Sequence, residues 1–258
     1  MGAPYANRLG RREPSYGGSV AVVSGTEAEW LVREVRRALA EVADPEKAPV
    51  MQAYMKSSMP FLGIQARTMR SACKAVLDAR PLTDEQEWLE AVHLLWDDAA
   101  HREERYAAIE LTGHRSYRGY QRPEALALYR HLVTTGAWWD YVDNVAGNRV
   151  GPILRSHPAV TPVMRSWALD DDLWVRRTAI LCQLGSKTAT DVELLGFVLE
   201  QNLEDSLHGR EFFIRKAVGW ALRQHARVDP DWVRTFVAAQ EERLSGLSRR
   251  EALKHLSD

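Results

Sequence analysis

The chain has 258 residues, 45% of them apolar, and a formal net charge of -1. This length and composition suffice for one sizeable core or one continuous array of repeats, which predicts a globular protein. No run approaches the roughly 18 apolar residues of a membrane span, and the first residues lack the pattern of a secretory signal. We therefore expect a cytoplasmic protein that has no membrane partner. The near-neutral charge excludes an overall basic footprint, so any nucleic-acid contact must come from local charge segregation.

The chain begins with a segment rich in Gly, Pro and Arg that has no sustained periodicity. This composition predicts a flexible lead-in over residues 1–24, followed by one domain over residues 25–258. No later segment alternates apolar and polar residues as a strand does, whereas apolar positions recur at helical intervals, so the predicted fold class is all-α. Three predicted helix starts have the spacing of a capping box, namely Thr26 with Glu29, Thr83 with Gln86 and Ser248 with Glu251.

The helices have the spacing of repeats. An alanine recurs in four short amphipathic segments at intervals of 38, 33 and 38 residues, a period typical of two-helix solenoid units. We therefore predict an α-solenoid of HEAT-like helical repeats, whose concave face is an extended binding surface. The stretch from Asp84 to Glu104 is acidic and the C-terminal part is basic, which would give that face a graded potential. The four alanines are Ala108, Ala146, Ala179 and Ala217.

The chain has two cysteines, Cys73 and Cys182, which are far apart and have no metal-ligand spacing. This count supports neither a disulfide framework nor a zinc site, so we predict two small core residues, no metal ligands and no cofactor.

The segment WWDYVD places two tryptophans on different faces of one helix. At about 100° per residue, Trp138 shares an apolar stripe with Val142, whereas Trp139 and Asp143, four residues apart, share the adjacent face. Trp138 is predicted to be core. Trp139 is a candidate contact for a cation beside a carboxylate, and a half-buried Trp next to a salt-bridged Asp is the alternative.

Two adjacent arginines in DDLWVRRTAIL differ in their helical neighbours. Arg176 has Asp172 four residues before it, which predicts an ordinary exposed ion pair. Arg177 has apolar residues three and four positions away on both sides, so its charge needs an anion. That anion could be a DNA phosphate or a structural Asp or Glu, and the pattern leaves both open.

Farther along, Trp220 departs from the apolar stripe of its helix and has Lys216, Arg223 and Gln224 as helical neighbours. An aromatic ring among cations is suited to contact a sugar, a base or a phosphodiester backbone. Partial exposure beside the aliphatic stems of Lys and Arg is the alternative.

These segments resemble the AlkD family of bacterial DNA glycosylases, which are built of HEAT-like repeats. The resemblance covers roughly residues 44–256, where PEKAPVMQAYMKS, PFLGIQ, WWDYVD, DDLWVRRTAIL, EFFIRKAVGWALR and LSRREALKHL fit in order. It implies catalytic roles for Asp143, Trp139 and Trp220. It also implies DNA contacts by Arg177, Tyr54 and Gln65, and the predicted DNA-binding set adds Lys216 and Arg223.

The resemblance implies a monofunctional enzyme of DNA repair. Such an enzyme would hydrolyse the N-glycosidic bond of cationic N3- or N7-alkylated purines in double-stranded DNA without flipping the base, and it would act as a monomer. Two alternatives stay open, a non-catalytic DNA-binding paralogue and a HEAT-type protein-interaction scaffold. The sequence departs from the family at Ala66 and Arg67, and residues 114–124 and 203–211 look longer than usual. These two segments are predicted surface insertions, or segments that reach into a DNA groove.

Overall fold

The computed structural model describes residues 25–256, and over that range it is helical and has no strand. The predicted all-α class and the α-solenoid architecture are confirmed, whereas the predicted lead-in over residues 1–24 lies outside the described residues. In this part of the chain no helix is both long and apolar enough to cross a membrane. The α-helices are α1 Glu27–Glu41, α2 Ala48–Met55, α3 Ala66–Ala79, α4 Glu85–Trp96, α5 Arg102–Thr112, α6 Leu126–Gly136, α7 Trp139–Val145, α8 Gly151–Ser156, α9 Thr161–Trp167, α10 Leu173–Leu181, α11 Val192–Glu200, α12 Phe212–His225, α13 Pro230–Ala239 and α14 Gly246–Leu253.

Successive helices pack on one another along the solenoid. Helix α1 packs on α3 and α4, α7 packs on α10, α10 on α12, and α12 on α14. The apolar interior forms one large cluster over the N-terminal and central helices and a second over the C-terminal helices. The four alanines at the repeat interval are buried in this interior, as their spacing predicts; they are Ala108, Ala146, Ala179 and Ala217.

The helix starts differ in part from the predicted capping boxes. Thr26 caps α1 with the reciprocal bonds to Glu29 that the spacing predicts. The prediction at Thr83 is wrong by one residue, because Asp84 caps α4 with its carboxylate. The prediction at Ser248 is also wrong, because Ser245 caps α14 and Glu251 is drawn away by cations of α12.

Both cysteines are buried free thiols of the large core cluster, as predicted. Burial raises the pKa of each thiol to about 12, so Cys73 and Cys182 are unreactive packing residues.

The two segments predicted to be insertions pack on the helices beside them. In residues 114–124, Tyr117 is fully buried, and its hydroxyl accepts a hydrogen bond of 3.0 Å from the Leu82 amide. In residues 203–211, Asp205 pairs with Arg243 at 2.9 Å. Each segment is therefore fastened to the body of the solenoid.

Candidate active site

A sharp turn between α6 and α7 presents the two tryptophans. Ala137 has a left-handed conformation (φ 42°), and Trp138 is extended at the start of α7. Gly136 is required just before the turn, because a Cβ there would lie 2.8 Å from the Trp96 ring. As predicted, Trp138 packs on the core, with its ring 5.4 Å from Phe213 of α12. Trp139 is the first residue of α7 and is half-buried.

One turn later on α7, the carboxylate of Asp143 meets a guanidinium from α10. Arg177 Nε lies 2.7 Å from Oδ1 and Nη2 lies 2.8 Å from Oδ2, which is the bidentate geometry that arginine favours. Arg177 is only 3% exposed, so it needed an anion, and Asp143 is the partner. A third N–H of Arg177 donates to the carbonyl of Phe213. The pair therefore joins α7, α10 and α12.

The ion pair of Asp143 and Arg177 lies where burial disfavours charged side chains. Burial raises the pKa of Asp143 above its ordinary value, while the hydrogen bond and charge of Arg177 offset part of that rise. Asp140, one turn away on the same helix, adds to the rise by repulsion. Asp143 is thus a constrained carboxylate whose charge depends on Arg177.

The prediction for Arg176 is wrong. This residue is buried rather than exposed, and it donates to the main-chain carbonyls of Leu169 and Gln201 instead of pairing with Asp172. Asp172 is occupied as the cap of α10, where it accepts from two main-chain amides. The spacing of four residues did not reveal this competing use of the carboxylate.

The tryptophan predicted on α12 is half-buried against the C-terminal apolar cluster. Trp220 lies two turns beyond Phe213, whose carbonyl accepts from Arg177. Its cationic neighbours are not free, because Lys216 lies 2.7 Å from Glu251 and Arg223 also pairs with Glu251. Both predicted DNA-binding cations therefore share the single carboxylate of Glu251 on α14, which offsets one of their two positive charges.

A cavity of about 520 Å³ opens beside Trp139. Its lining includes the predicted residue Tyr54, which is 76% exposed on α2, and it is mainly apolar. Gln65 is exposed at the N-cap of α3, next to Ala66 of this lining. Asp143 is not part of the lining, because it turns toward α10. Trp139 and Tyr54 therefore line the same cavity, whereas Asp143 and Arg177 form an ion pair.

A second buried ion pair, which the sequence did not predict, supports the start of α7. Arg102 of α5 is 6% exposed, and its Nη2 lies 2.6 and 2.8 Å from the two carboxylate oxygens of Asp140. The hydroxyl of Tyr106 donates to the same carboxylate. The guanidinium also lies 4.1 Å from the centre of the Tyr141 ring. Asp140 follows Trp139 directly, so this network fixes the backbone that carries Trp139.

The carboxylate of Asp143, which is paired with Arg177, and the ring of Trp139 belong to residues one turn apart on α7. Such a site can stabilise positive charge on a bound molecule, since carboxylates and aromatic faces both attract cations.

Comparisons with known proteins agree on one family. The family model of DNA alkylation repair enzymes matches residues 35–256. A solved structure described as a predicted DNA alkylation repair enzyme from Enterococcus faecalis is similar to this chain, with a TM-score of 0.74 and 29% identity. The similarity covers 84% of this chain and 97% of that one. A comparison with curated proteins gives no match. The chain belongs to the family of DNA alkylation repair enzymes.

Proposed function

We propose that this enzyme is a monofunctional glycosylase that removes cationic N3- and N7-alkylated purines from double-stranded DNA. It would hydrolyse the N-glycosidic bond, leave an abasic site and act as a monomer without extruding the base. The observation that carries the proposal is Asp143, a half-buried carboxylate that Arg177 holds with two hydrogen bonds one turn from Trp139.

The chemistry requires stabilisation of positive charge more than proton transfer. Cleavage of an N-glycosidic bond builds oxocarbenium character on the sugar, and a cationic purine leaves without a general acid. An ionised Asp143 would stabilise that sugar and orient the attacking water, and a preorganised group of this kind contributes about 3 kcal/mol to catalysis. Because no lysine is assigned as nucleophile, we expect no Schiff-base lyase step.

The aromatic residues would add to this effect. The faces of Trp139 and Trp220 attract cations by about 0.5 to 2 kcal/mol each, and they would flank the alkylated nucleotide. The half-buried positions of both rings support this role, because Trp220 packs on the C-terminal apolar cluster and Trp139 lines the cavity.

The role proposed for Arg177 is to keep Asp143 ionised and in place. Three of its N–H groups are engaged within the protein, and it is 3% exposed, so direct contact with a phosphate would use the remaining N–H groups. Contacts to the DNA backbone would come mainly from Tyr54 and Gln65 on the N-terminal side, because both are exposed. Lys216 and Arg223 would add a smaller contribution, because both are paired with Glu251, which offsets one of their two charges.

The test is release of free base from duplex DNA that contains one 7-methylguanine or 3-methyladenine. We expect the modified base in solution and an abasic site in the strand, whereas undamaged duplex should release nothing. An Asp143→Asn variant that binds the same duplex is the matched control. Binding without release at high enzyme concentration would contradict the proposal and favour a non-catalytic DNA-binding protein.

A further inference from the structure

Away from the candidate active site, three side chains with metal-ligand chemistry meet where α4 ends beside α6. His93 and Asp97 lie one turn apart at the end of α4, and His131 comes from α6. Nδ1 of His93 lies 2.8 Å from one oxygen of Asp97, and Nε2 of His131 lies 2.8 Å from the other. The ligand atoms of the three residues all lie within 4.8 Å of one another.

This set of donors suits a particular ion. Two imidazole nitrogens with one carboxylate are typical ligands of Zn²⁺, which binds them at roughly 2.0 to 2.2 Å. We propose that His93, Asp97 and His131 bind one Zn²⁺ ion that links α4 to α6, with water as the remaining ligand. Both imidazoles already face the Asp97 carboxylate, so small side-chain rotations bring the donors to bonding distance.

The surroundings admit an ion from solvent. The three side chains are 41%, 40% and 35% exposed, in the order His93, Asp97 and His131. The two imidazoles also line an open cavity of about 510 Å³. Arg122 is the cation that shares this cavity, and its charge is compensated by Glu85 at 2.7 Å and Glu124 at 3.2 Å. The site is therefore accessible, and the arginine that shares its cavity is compensated by two glutamates.

The carboxylate is available in its charged form. Burial opposes ionisation of Asp97, but the hydrogen bonds from His93 and His131 outweigh it and lower the pKa of this carboxyl.

The experiment titrates Zn²⁺ into the metal-free full-length protein and follows Tm, together with competition against a chromophoric chelator. We expect one ion per chain and a Tm rise of roughly 5 to 10 °C at a hundredfold excess over Kd. The proposal does not depend on the glycosylase activity, because the readouts are metal stoichiometry and thermal unfolding. Absence of a zinc-dependent Tm rise would overturn it.

Variants separate this site from other zinc ligands of the chain. Asp97→Asn and His131→Ala should each lose the zinc-dependent Tm rise, while their metal-free Tm shows that they are folded. His157→Ala removes a histidine outside the cluster and should keep the full rise. Equal zinc responses in Asp97→Asn, His131→Ala and the parent protein would place the ion elsewhere and refute the proposal.

Discussion

Arg177 and Asp143 are joined by two hydrogen bonds of 2.7 and 2.8 Å between α10 and α7. Because of this bidentate pair, the ionisation of the proposed catalytic carboxylate on α7 depends on a residue of α10. Removing either member leaves the other buried and unpaired, which typically costs about 3 to 5 kcal/mol. Activity and stability are therefore coupled at this point, and experiments on either residue need both measurements.

Asp143→Asn keeps the size of the side chain and removes its charge. We expect excision of 7-methylguanine to slow by roughly a hundredfold under single-turnover conditions, because the electrostatic stabilisation of the sugar cation is lost. DNA affinity should be retained. The rate is measured well below the Tm of the variant, since the unpaired guanidinium lowers stability. An unchanged rate would remove Asp143 from the mechanism.

Arg177→Lys and Arg177→Ala together distinguish a positioning role from a phosphate contact. Lysine keeps the positive charge but cannot reproduce the two parallel hydrogen bonds. We expect a lower Tm and slower excision, with the dependence of DNA affinity on salt unchanged. If Arg177 only positions Asp143, Arg177→Ala should also leave the salt dependence unchanged. If Arg177 contacts a phosphate, Arg177→Ala should flatten the slope of log affinity against log salt by about 0.9.

The sequence predicts some of this site and not the rest. Spacing alone places Trp139 and Asp143 on one helix face, and the apolar neighbours of Arg177 show that it needs an anion. The identity of that anion depends on the tertiary structure, because Asp143 lies 34 residues before Arg177 in the chain. The family resemblance supplied the functional roles, which no pattern of single residues gives.

Two of the wrong predictions have one physical origin, which is competition for a carboxylate. Asp172 had the spacing to pair with Arg176 but caps α10 instead. Glu251 had the spacing of a capping box but meets Lys216 and Arg223 from α12. The spacing of residues along the sequence indicates which hydrogen bonds and ion pairs are possible. The tertiary packing determines which of them form.

The pH dependence of excision follows from the raised pKa of Asp143. The ionised form is the active one, so the rate should fall as pH drops through a pKa that lies above the ordinary value of 3.8. The acid limb should therefore begin at a higher pH than for an unperturbed aspartate. The measurement is the enzyme-dependent rate after subtraction of spontaneous depurination, and Asp143→Asn should lack this limb.

Asp140→Asn tests whether the Arg102 network positions Trp139. The substitution leaves a buried guanidinium without its charge partner, so we expect a loss of about 3 to 5 kcal/mol in unfolding free energy. Excision should slow although Asp143 keeps its hydrogen bonds to Arg177 and loses the repulsion from Asp140 that raises its pKa. The control is Arg37→Ala, which removes two exposed ion pairs on α1 and should leave both Tm and rate unchanged. A stable Asp140→Asn protein with normal activity would show that the network is dispensable.

Glu251→Gln should strengthen DNA binding. The isosteric change preserves the close packing of α14 on Gly219 and releases Lys216 and Arg223 from their shared carboxylate. Two freed cations that reach phosphates would steepen the slope of log affinity against log salt by up to about 1.8. Glu241→Gln is the control for the loss of one negative charge. It removes the ion pair with the exposed Arg249 and leaves Glu251 unchanged. If both variants show the same small gain in affinity, Lys216 and Arg223 do not contact DNA, and their attachment to Glu251 serves only to hold α12 on α14.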